Sequence, residues 1–154
     1  KKLLGTGGGV KNVLNHLLPG PFLVLNSDVI WIDQKDNFFH LLSNCWDGRK
    51  MDALLLLYPV SRKPDENLGD YRKDGNGRIY RRKGLDFSPY VFTGAQILHD
   101  RLFKKSPRKP FSLVSLYDRA EKSGRLFGLV YNGIWHDVGT KDKLRRIRKK
   151  IRML

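Results

Sequence analysis

The sequence predicts an α/β protein in which a mostly parallel sheet is flanked by helices. Two short apolar runs, at 22–25 and 52–58, are typical of buried strands, and they alternate with segments of helical spacing at 11–18 and 38–46. Strands that alternate with helices in this way favour a parallel sheet. The chain has 154 residues, of which 40% are hydrophobic and 29% charged, and this suits one sizeable core. We therefore expect a single domain.

The first half of the chain supplies two helices and two strands. The helix over 11–18 carries its apolar side chains on one face and stops at Pro19-Gly20-Pro21. The strand at 22–25 is predicted to be fully buried, and it ends at Asn26, Ser27 and Asp28. The carboxyl end of such a strand is where α/β sheets bind their ligands.

The second half of the chain predicts a further helix and several short strands. In chain order the segments are an exposed hairpin at 69–72 and 78–81, a strand at 90–94, a helix at 113–122 that Ser112 could cap and Gly124 could end, and strands at 126–131 and 134–138 on either side of a turn at Asn132-Gly133. A basic helix follows at 141–154, and no internal repeat is present.

The composition argues against secreted and membrane-spanning proteins. A single cysteine, Cys45, excludes an intrachain disulfide and fits a reducing compartment, so we expect a cytoplasmic protein in which Cys45 is a buried apolar side chain. No apolar run approaches the roughly 20 residues of a spanning helix. The first residues lack the apolar core of a signal peptide.

The net charge is the most unusual feature of the composition. It amounts to +15, which favours polyanionic partners such as nucleotides, phosphorylated sugars, nucleic acid or anionic membranes. About half of it lies in 141–154, where eight basic residues accompany one acidic residue. This segment predicts a basic amphipathic helix that either binds a polyanion, packs on its own domain or dimerises. Because no nucleic-acid reading motif is present, we do not expect specific nucleic-acid binding.

Two aspartates are the candidate metal ligands. Asp28 follows a buried strand, and Asp137 lies at a second junction between a strand and a helix. Either could instead be a helix cap, a turn residue or a surface ion pair. Carboxylates that converge from separate strands can hold one magnesium ion between them. The sequence therefore predicts a magnesium site formed by the pair.

Other residue types give weaker signals. Gly7, Gly8 and Gly9 precede a predicted helix, so their amides could approach a phosphate, or they could form only a helix-entry turn. The four histidines show no metal-ligand spacing, and no serine or cysteine lies in a nucleophile elbow. Hydrolysis through a covalent intermediate is therefore not expected.

Six segments, taken in order, resemble the bacterial sugar-1-phosphate nucleotidyltransferases, and most closely the group of N-acetylmuramate alpha-1-phosphate uridylyltransferases and mannose-1-phosphate guanylyltransferases. The matching segments are 4–14, 22–31, 52–60, 91–103, 111–120 and 133–140. The resemblance implies a GT-A-like, Rossmann-type fold and a magnesium-dependent enzyme. Such an enzyme transfers a nucleoside monophosphate from UTP or GTP to a sugar 1-phosphate, releases pyrophosphate, and serves cell-wall sugar metabolism in the cytoplasm.

The resemblance also implies a role for individual residues. Asp28 and Asp137 would be the catalytic metal ligands, and Gly7, Gly8 and Gly9 would lie against the nucleotide. The sugar-phosphate side would be formed by Asn26, Gly69, Thr93, Gly94, Trp135 and, as a phosphate contact, Lys141.

The sequence departs from the family pattern at two places. Gly5 stands where family members usually have a glutamate, and nothing matches the glycine-rich loop that holds the triphosphate. We therefore expect residues 1–154 to be the C-terminal portion of a single nucleotidyltransferase domain, truncated at its N-terminus. One alternative is an inactive remnant of such an enzyme, or a remnant that forms homo-oligomers. Another alternative is a basic module that binds polyanions.

Overall fold

The computed structural model of the chain describes residues 3–34, 37–62 and 68–151, with side chains to residue 148. Within these ranges a six-stranded sheet lies between two layers of helices, and a separate pair of strands packs beside it. This arrangement confirms the predicted α/β class.

Eight strands and four α-helices define the fold within the described residues. The strands are β1 (Pro21–Leu25), β2 (Val29–Ile32), β3 (Ala53–Pro59), β4 (Tyr71–Lys73), β5 (Ile79–Arg81), β6 (Tyr90–His99), β7 (Leu126–Val130) and β8 (Ile134–Asp137). The helices are α1 (Gly5–Val13), α2 (Phe38–Cys45), α3 (Val114–Lys122) and α4 (Lys141–Ile151), with short 3-10 helices at Leu14–His16, Val60–Arg62 and Asp100–Phe103.

The main sheet is mixed, and its long strand β6 runs against most of the others. Its order is β5-β4-β6-β3-β7, with β1 paired to β6 as well. The pairing directions mean that β1, β3, β4 and β7 run one way, whereas β5 and β6 run the other way. Most strands are thus parallel in direction, as predicted. Because β6 is inserted between them, β3 and β7 are the one parallel pair among the strands in the described ranges.

The core forms one layer on each face of the main sheet. On one face, α1 and α3 cover apolar side chains of β3 and β6; on the other face, α2 and the β2–β8 pair cover the remaining ones. Strand β3 is buried over six consecutive residues, from Ala53 to Tyr58, because it lies between β6 and β7 with both faces covered.

Three expectations about the first half of the chain were wrong. The helix predicted at 11–18 begins at Gly5 and ends at Val13, because α1 packs its glycines against the segment at Phe111. The strand predicted as fully buried, β1, pairs with β6 alone among the described residues and leaves Leu23 exposed. Cys45 is exposed at the last residue of α2, beyond the core face of that helix.

The second half differs from prediction at the hairpin, whereas the last two strands lie on either side of Asn132-Gly133 as predicted. The β4–β5 hairpin is not simply exposed, since Tyr71 and Ile79 are almost fully buried where it joins the main sheet. Strands β7 and β8 do not pair with each other across Asn132-Gly133: β7 pairs with β3, and β8 pairs with β2. The turn therefore carries the chain from the main sheet to the smaller one.

Helix α4 packs on its own domain, since it contacts β8 and buries Ile147. This contact favours the packing interpretation of the amphipathic helix predicted at 141–154, of which residues 152–154 lie outside the described residues. Among the residues described, no helix has the length and apolar character needed to cross a membrane.

Candidate functional site

The two predicted metal ligands lie side by side at the start of the β2–β8 pair. Val29, the first residue of β2, is directly opposite Asp137 on β8, and the amide of Val138 donates to the carbonyl oxygen of Asp28 at 2.8 Å. A Cβ atom added to Gly139 would lie 2.9 Å from Asp28 Oδ2 and 3.2 Å from Asp137 Oδ1. Both carboxylates therefore border one small space, which exists because residue 139 is glycine.

Asp137 is held in place by two donors. Its Oδ1 accepts the amide of Gly139 at 2.9 Å, and its Oδ2 accepts the ammonium group of Lys143 at 2.5 Å. Asp28 is exposed and Asp137 is half-buried. Lys143 was not predicted from the sequence, because its contact depends on the direction that α4 takes after the turn at Gly139. Lys141, the predicted phosphate contact, is exposed at the first residue of α4.

The carboxylate pair opens into a cavity of about 270 Å³. Its lining brings together most of the side chains predicted for the sugar and the metal, and Asp70 joins them. The predicted residues among the lining are Asn26, Asp28, Thr93, Gly94, Trp135 and Asp137. The sequence interpretation thus identified residues that share one concave site, although they come from β6, β8 and the segment between β1 and β2.

Thr93 and Trp135 shape this cavity mainly through internal hydrogen bonds. The Thr93 hydroxyl, which was predicted to face the sugar, donates instead to the carbonyl oxygen of Leu56 at 2.9 Å, inside the sheet. The indole nitrogen of Trp135 donates to the carbonyl oxygen of Thr93 at 2.9 Å, and both residues are buried. Their polar atoms therefore fix the backbone that leads into Gly94.

Gly94 is required by the close approach of Asn26. Its φ is +88°, and an added Cβ would lie 2.9 Å from the Cβ of Asn26. The amide of Asn26 also donates to the Gly94 carbonyl oxygen at 2.8 Å. Only glycine combines this backbone conformation with this contact, so Gly94 brings the end of β1 against the middle of β6.

Gly69 has a structural role, and its neighbour Asp70 reaches the cavity. Gly69 has a φ of +63°, and an added Cβ would lie 2.0 Å from the carbonyl oxygen of Ser88. Its own carbonyl oxygen accepts Nε of Arg82 at 2.8 Å. Asp70 accepts the amide of Phe92 at 2.9 Å and lines the cavity, which Gly69 does not. Asp70 was not predicted as a site residue, because the sequence pattern at 69–72 indicated only a hairpin strand.

A second cavity, of about 360 Å³, adjoins the first one and shares Asn26, Asp70 and Phe92 with it. At its base Gln96 is fully buried, and its amide oxygen accepts the hydroxyl of Tyr117. Burial raises the pKa of Tyr117, so its hydroxyl remains a donor at physiological pH. The amide nitrogen of Gln96 has no hydrogen-bond partner among the described residues. No sequence pattern marked Gln96, since it lies within an apolar strand.

The glycines predicted to face the nucleotide lie inside α1. The amides of Gly7 and Gly8 donate to the carbonyl oxygen of Phe111 at 3.0 and 3.3 Å. An added Cβ on Gly7 would lie 2.3 Å from the Phe111 ring, whereas Gly9 faces open space. Close packing therefore explains Gly7, and a nucleotide contact by these glycines stays a prediction. Thr6, which precedes Gly7 in α1, lines the second cavity.

The chemistry of the donor set fits a hard divalent cation. Carboxylate oxygens are the ligands that magnesium prefers, and Asp28 and Asp137 offer two of them around the space beside Gly139. The described ranges contain no cluster of three or more histidine, cysteine, aspartate or glutamate side chains. A cation at this site would therefore take its remaining ligands from water or from a bound phosphate, as magnesium commonly does.

Comparison with known proteins finds that the chain is similar to nucleotide-sugar enzymes, although no family model matches it. A curated relative, the N-acetylmuramate alpha-1-phosphate uridylyltransferase of Caulobacter vibrioides, is 31% identical over 137 residues, which are 88% of this chain and 57% of the relative.

Two solved structures share the fold. One is described as a glucose-1-phosphate thymidylyltransferase from Bacillus anthracis, with a TM-score of 0.76 and 20% identity; the match covers 100% of this chain and 63% of that one. The other is a UDP-glucose pyrophosphorylase complexed with UDP-glucose, with a TM-score of 0.76 and 14% identity; here the match covers 97% of this chain and 64% of that one.

The chain thus spans about three fifths of the length of these proteins. The resemblance predicted from six sequence segments is confirmed: the chain is similar in sequence to a sugar-1-phosphate uridylyltransferase, and it has the GT-A-like fold of the two solved structures.

Proposed function

We propose that this chain carries the cation-binding and sugar-facing part of a sugar-1-phosphate nucleotidyltransferase. In the reaction, a phosphate oxygen of the sugar 1-phosphate attacks the α-phosphorus of a nucleoside triphosphate, and the bond from that phosphorus to pyrophosphate breaks. The observation that carries the proposal is the pair of carboxylates, Asp28 and Asp137, around the space beside Gly139. UTP or GTP would be the nucleotide, and the cytoplasm of a bacterium the place of the reaction.

Asp28 and Asp137 would hold the magnesium ion in this reaction. A bound magnesium ion neutralises the negative charge that builds up on a phosphate under attack. The chain's own contribution is to keep two carboxylates close together although they repel each other. Backbone pairing between β2 and β8 and the amide of Gly139 provide this positioning.

The sugar would lie in the cavity beyond the carboxylates. Asn26 and Asp70 are exposed polar side chains on its lining, where they can exchange hydrogen bonds with sugar hydroxyls. Trp135 and Thr93 would act as positioning residues, since their polar atoms bond within the fold. A role in cell-wall sugar metabolism would fit the similarity to the Caulobacter vibrioides enzyme, which is named for N-acetylmuramate alpha-1-phosphate.

The test measures cation binding and turnover on the same preparations. Mn²⁺ binding is followed by the electron paramagnetic resonance of the free ion, and pyrophosphate release is followed with UTP or GTP, Mg²⁺ and a sugar 1-phosphate. We expect Asp28→Asn and Asp137→Asn each to weaken Mn²⁺ binding at least about tenfold. The control is Asp142→Asn, which removes an exposed carboxylate on α4. Equal Mn²⁺ affinity in all four proteins would contradict the proposed site.

Self-association is a second candidate function, and one edge of the sheet favours it. Among the described residues β1 pairs with β6 alone, and Leu23 and Leu25 are 38% and 41% exposed. An apolar cavity of about 390 Å³ next to β1 is lined by Phe39 and Trp46. Because the net charge of +15 opposes association, a dimer should form more readily at high salt. A monomeric mass by light scattering from low to high salt would remove this candidate.

A further inference from the structure

Lys143 lies at a position of α4 where a positive charge does not stabilise the helix. It lies in the first turn of α4, which begins at Lys141, and its amide donates to the hydroxyl of Thr140 at 3.2 Å. The N-terminal end of a helix carries partial positive charge, so a lysine in the first turn is unfavourable for the helix. The side chain nevertheless turns back across the chain, and its ammonium group lies 2.5 Å from Asp137 Oδ2.

The ammonium group contacts one of the two carboxylates that border the space beside Gly139. Asp137 Oδ1 faces this space together with Asp28 Oδ2, whereas Lys143 bonds to the other oxygen of Asp137. Without a cation, two carboxylates that border the same small space repel each other, and a nearby positive charge offsets that repulsion. Lys143 supplies such a charge from within the chain.

We propose that Lys143 is a built-in counter-ion that competes with a divalent cation for the Asp28–Asp137 pair. The ammonium group stabilises the pair in the cation-free protein, and it weakens cation binding because it places a like charge beside the incoming ion. This inference rests on the proposed cation site and adds to it a residue that sets the affinity of that site. It predicts that the lysine lowers divalent-cation affinity, whereas a residue that only positioned Asp137 would raise it.

The experiment compares Lys143→Met with the unmodified chain by titration with Mn²⁺. We expect the dissociation constant for Mn²⁺ to fall about three- to tenfold in the variant, as for loss of one partly screened charge close to the ion. Because salt screens charges, the difference in Mn²⁺ dissociation constant between the two proteins should shrink when the salt concentration is raised. The conservative variant Lys143→Arg keeps the charge and should bind Mn²⁺ like the unmodified chain.

The matched control is Arg146→Met, which removes one positive charge from an exposed position of the same helix. Its Mn²⁺ affinity should stay within about twofold of the unmodified chain. An equal gain in Arg146→Met and Lys143→Met would overturn the proposal, since net charge alone would then explain the effect. Unchanged or weaker Mn²⁺ binding in Lys143→Met, with tight binding in the unmodified chain, would overturn it as well.

A second measurement needs no substitution at the site. In the unmodified chain with ¹³C-labelled lysine side chains, Mg²⁺ should shift the Lys143 signal more than the signals of exposed lysines such as Lys104. If the Lys143 signal does not shift at saturating Mg²⁺, the proposal that Lys143 competes with the cation is overturned. Absence of Mn²⁺ binding in both the unmodified chain and Lys143→Met would overturn the cation site itself, and this outcome is distinct from equal binding by both proteins.

Discussion

Replacing Gly139 with alanine would test the carboxylate pair while leaving both carboxylates in the chain. The added Cβ would lie 2.9 Å from Asp28 Oδ2 and 3.2 Å from Asp137 Oδ1, whereas ordinary van der Waals contact begins at 3.4 Å. The two oxygens must therefore move away by about 0.5 and 0.2 Å. Because magnesium holds its ligand oxygens at about 2.1 Å, the methyl group would occupy space that the ion needs.

We expect Gly139→Ala to weaken Mn²⁺ binding by at least about tenfold, similar to the loss of a residue that orients metal ligands. The free energy of unfolding should change by less than about 0.5 kcal/mol, since the methyl displaces only the ends of side chains at an exposed position. Calorimetric titration with Mn²⁺ and urea denaturation of the same preparations measure the two quantities.

The control for this prediction is Gly75→Ala, because an added Cβ there meets no atom within 4 Å. It should change neither cation affinity nor stability. If Gly139→Ala binds Mn²⁺ as tightly as the unmodified chain while remaining folded, the space between Asp28 and Asp137 is not where the cation lies, and the assignment of the pair fails.

Three further predictions concern stability. Asp52→Asn should lower the free energy of unfolding by about 2 kcal/mol, because the carboxylate accepts bonds from Arg101 and Arg125 at 2.6 and 2.8 Å while only 17% exposed. Burial raises the pKa of Asp52, but the two arginines outweigh burial and hold this pKa below the ordinary value of an aspartate. The carboxylate's contribution is therefore complete above that value and disappears as the pH falls through the lowered pKa. Gly128→Ala should cost about 1–3 kcal/mol, since the Cβ would lie 2.5 Å from buried Ile79.

Urea denaturation as a function of pH measures all three, with Asp86→Asn as the exposed control carboxylate. A stability difference between Asp52→Asn and the unmodified chain that does not shrink as the pH is lowered through the acid range would contradict the ion-pair explanation. A fully stable Gly128→Ala would show that β7 can move away from the β4–β5 hairpin without loss.

The two aspartates could be predicted because their signals are local. Asp28 follows a run of four apolar residues, and Asp137 precedes a glycine at the start of a helix, so each marks the end of a strand. The proximity of the two aspartates could not be predicted from any local pattern. It results from the pairing of Val29 with Asp137 in a sheet separate from the main one.

The role of Gly7 could not be predicted for the opposite reason. A run of three glycines before apolar residues is read as a loop, since glycine disfavours helix. In the structure the segment is helical, because the ring of Phe111 fits where a side chain at residue 7 would be and its carbonyl oxygen accepts two amides. The partner lies about a hundred residues further along the chain, beyond the reach of any local argument.

The same distinction explains why the interpretation of Gly94 was only half right. A glycine after four strand-forming residues indicates a strand end, but β6 continues to His99. Gly94 interrupts the regular pairing with β3, and its left-handed backbone lets the Asn26 amide donate to its carbonyl oxygen at 2.8 Å, where a Cβ on residue 94 would clash with the Asn26 side chain. The feature that suggested an end to the strand is thus the feature that joins the end of β1 to the candidate sugar cavity. A side chain at residue 94 would push Asn26 away, and Asp28, two residues later on the same segment, would have to move with it.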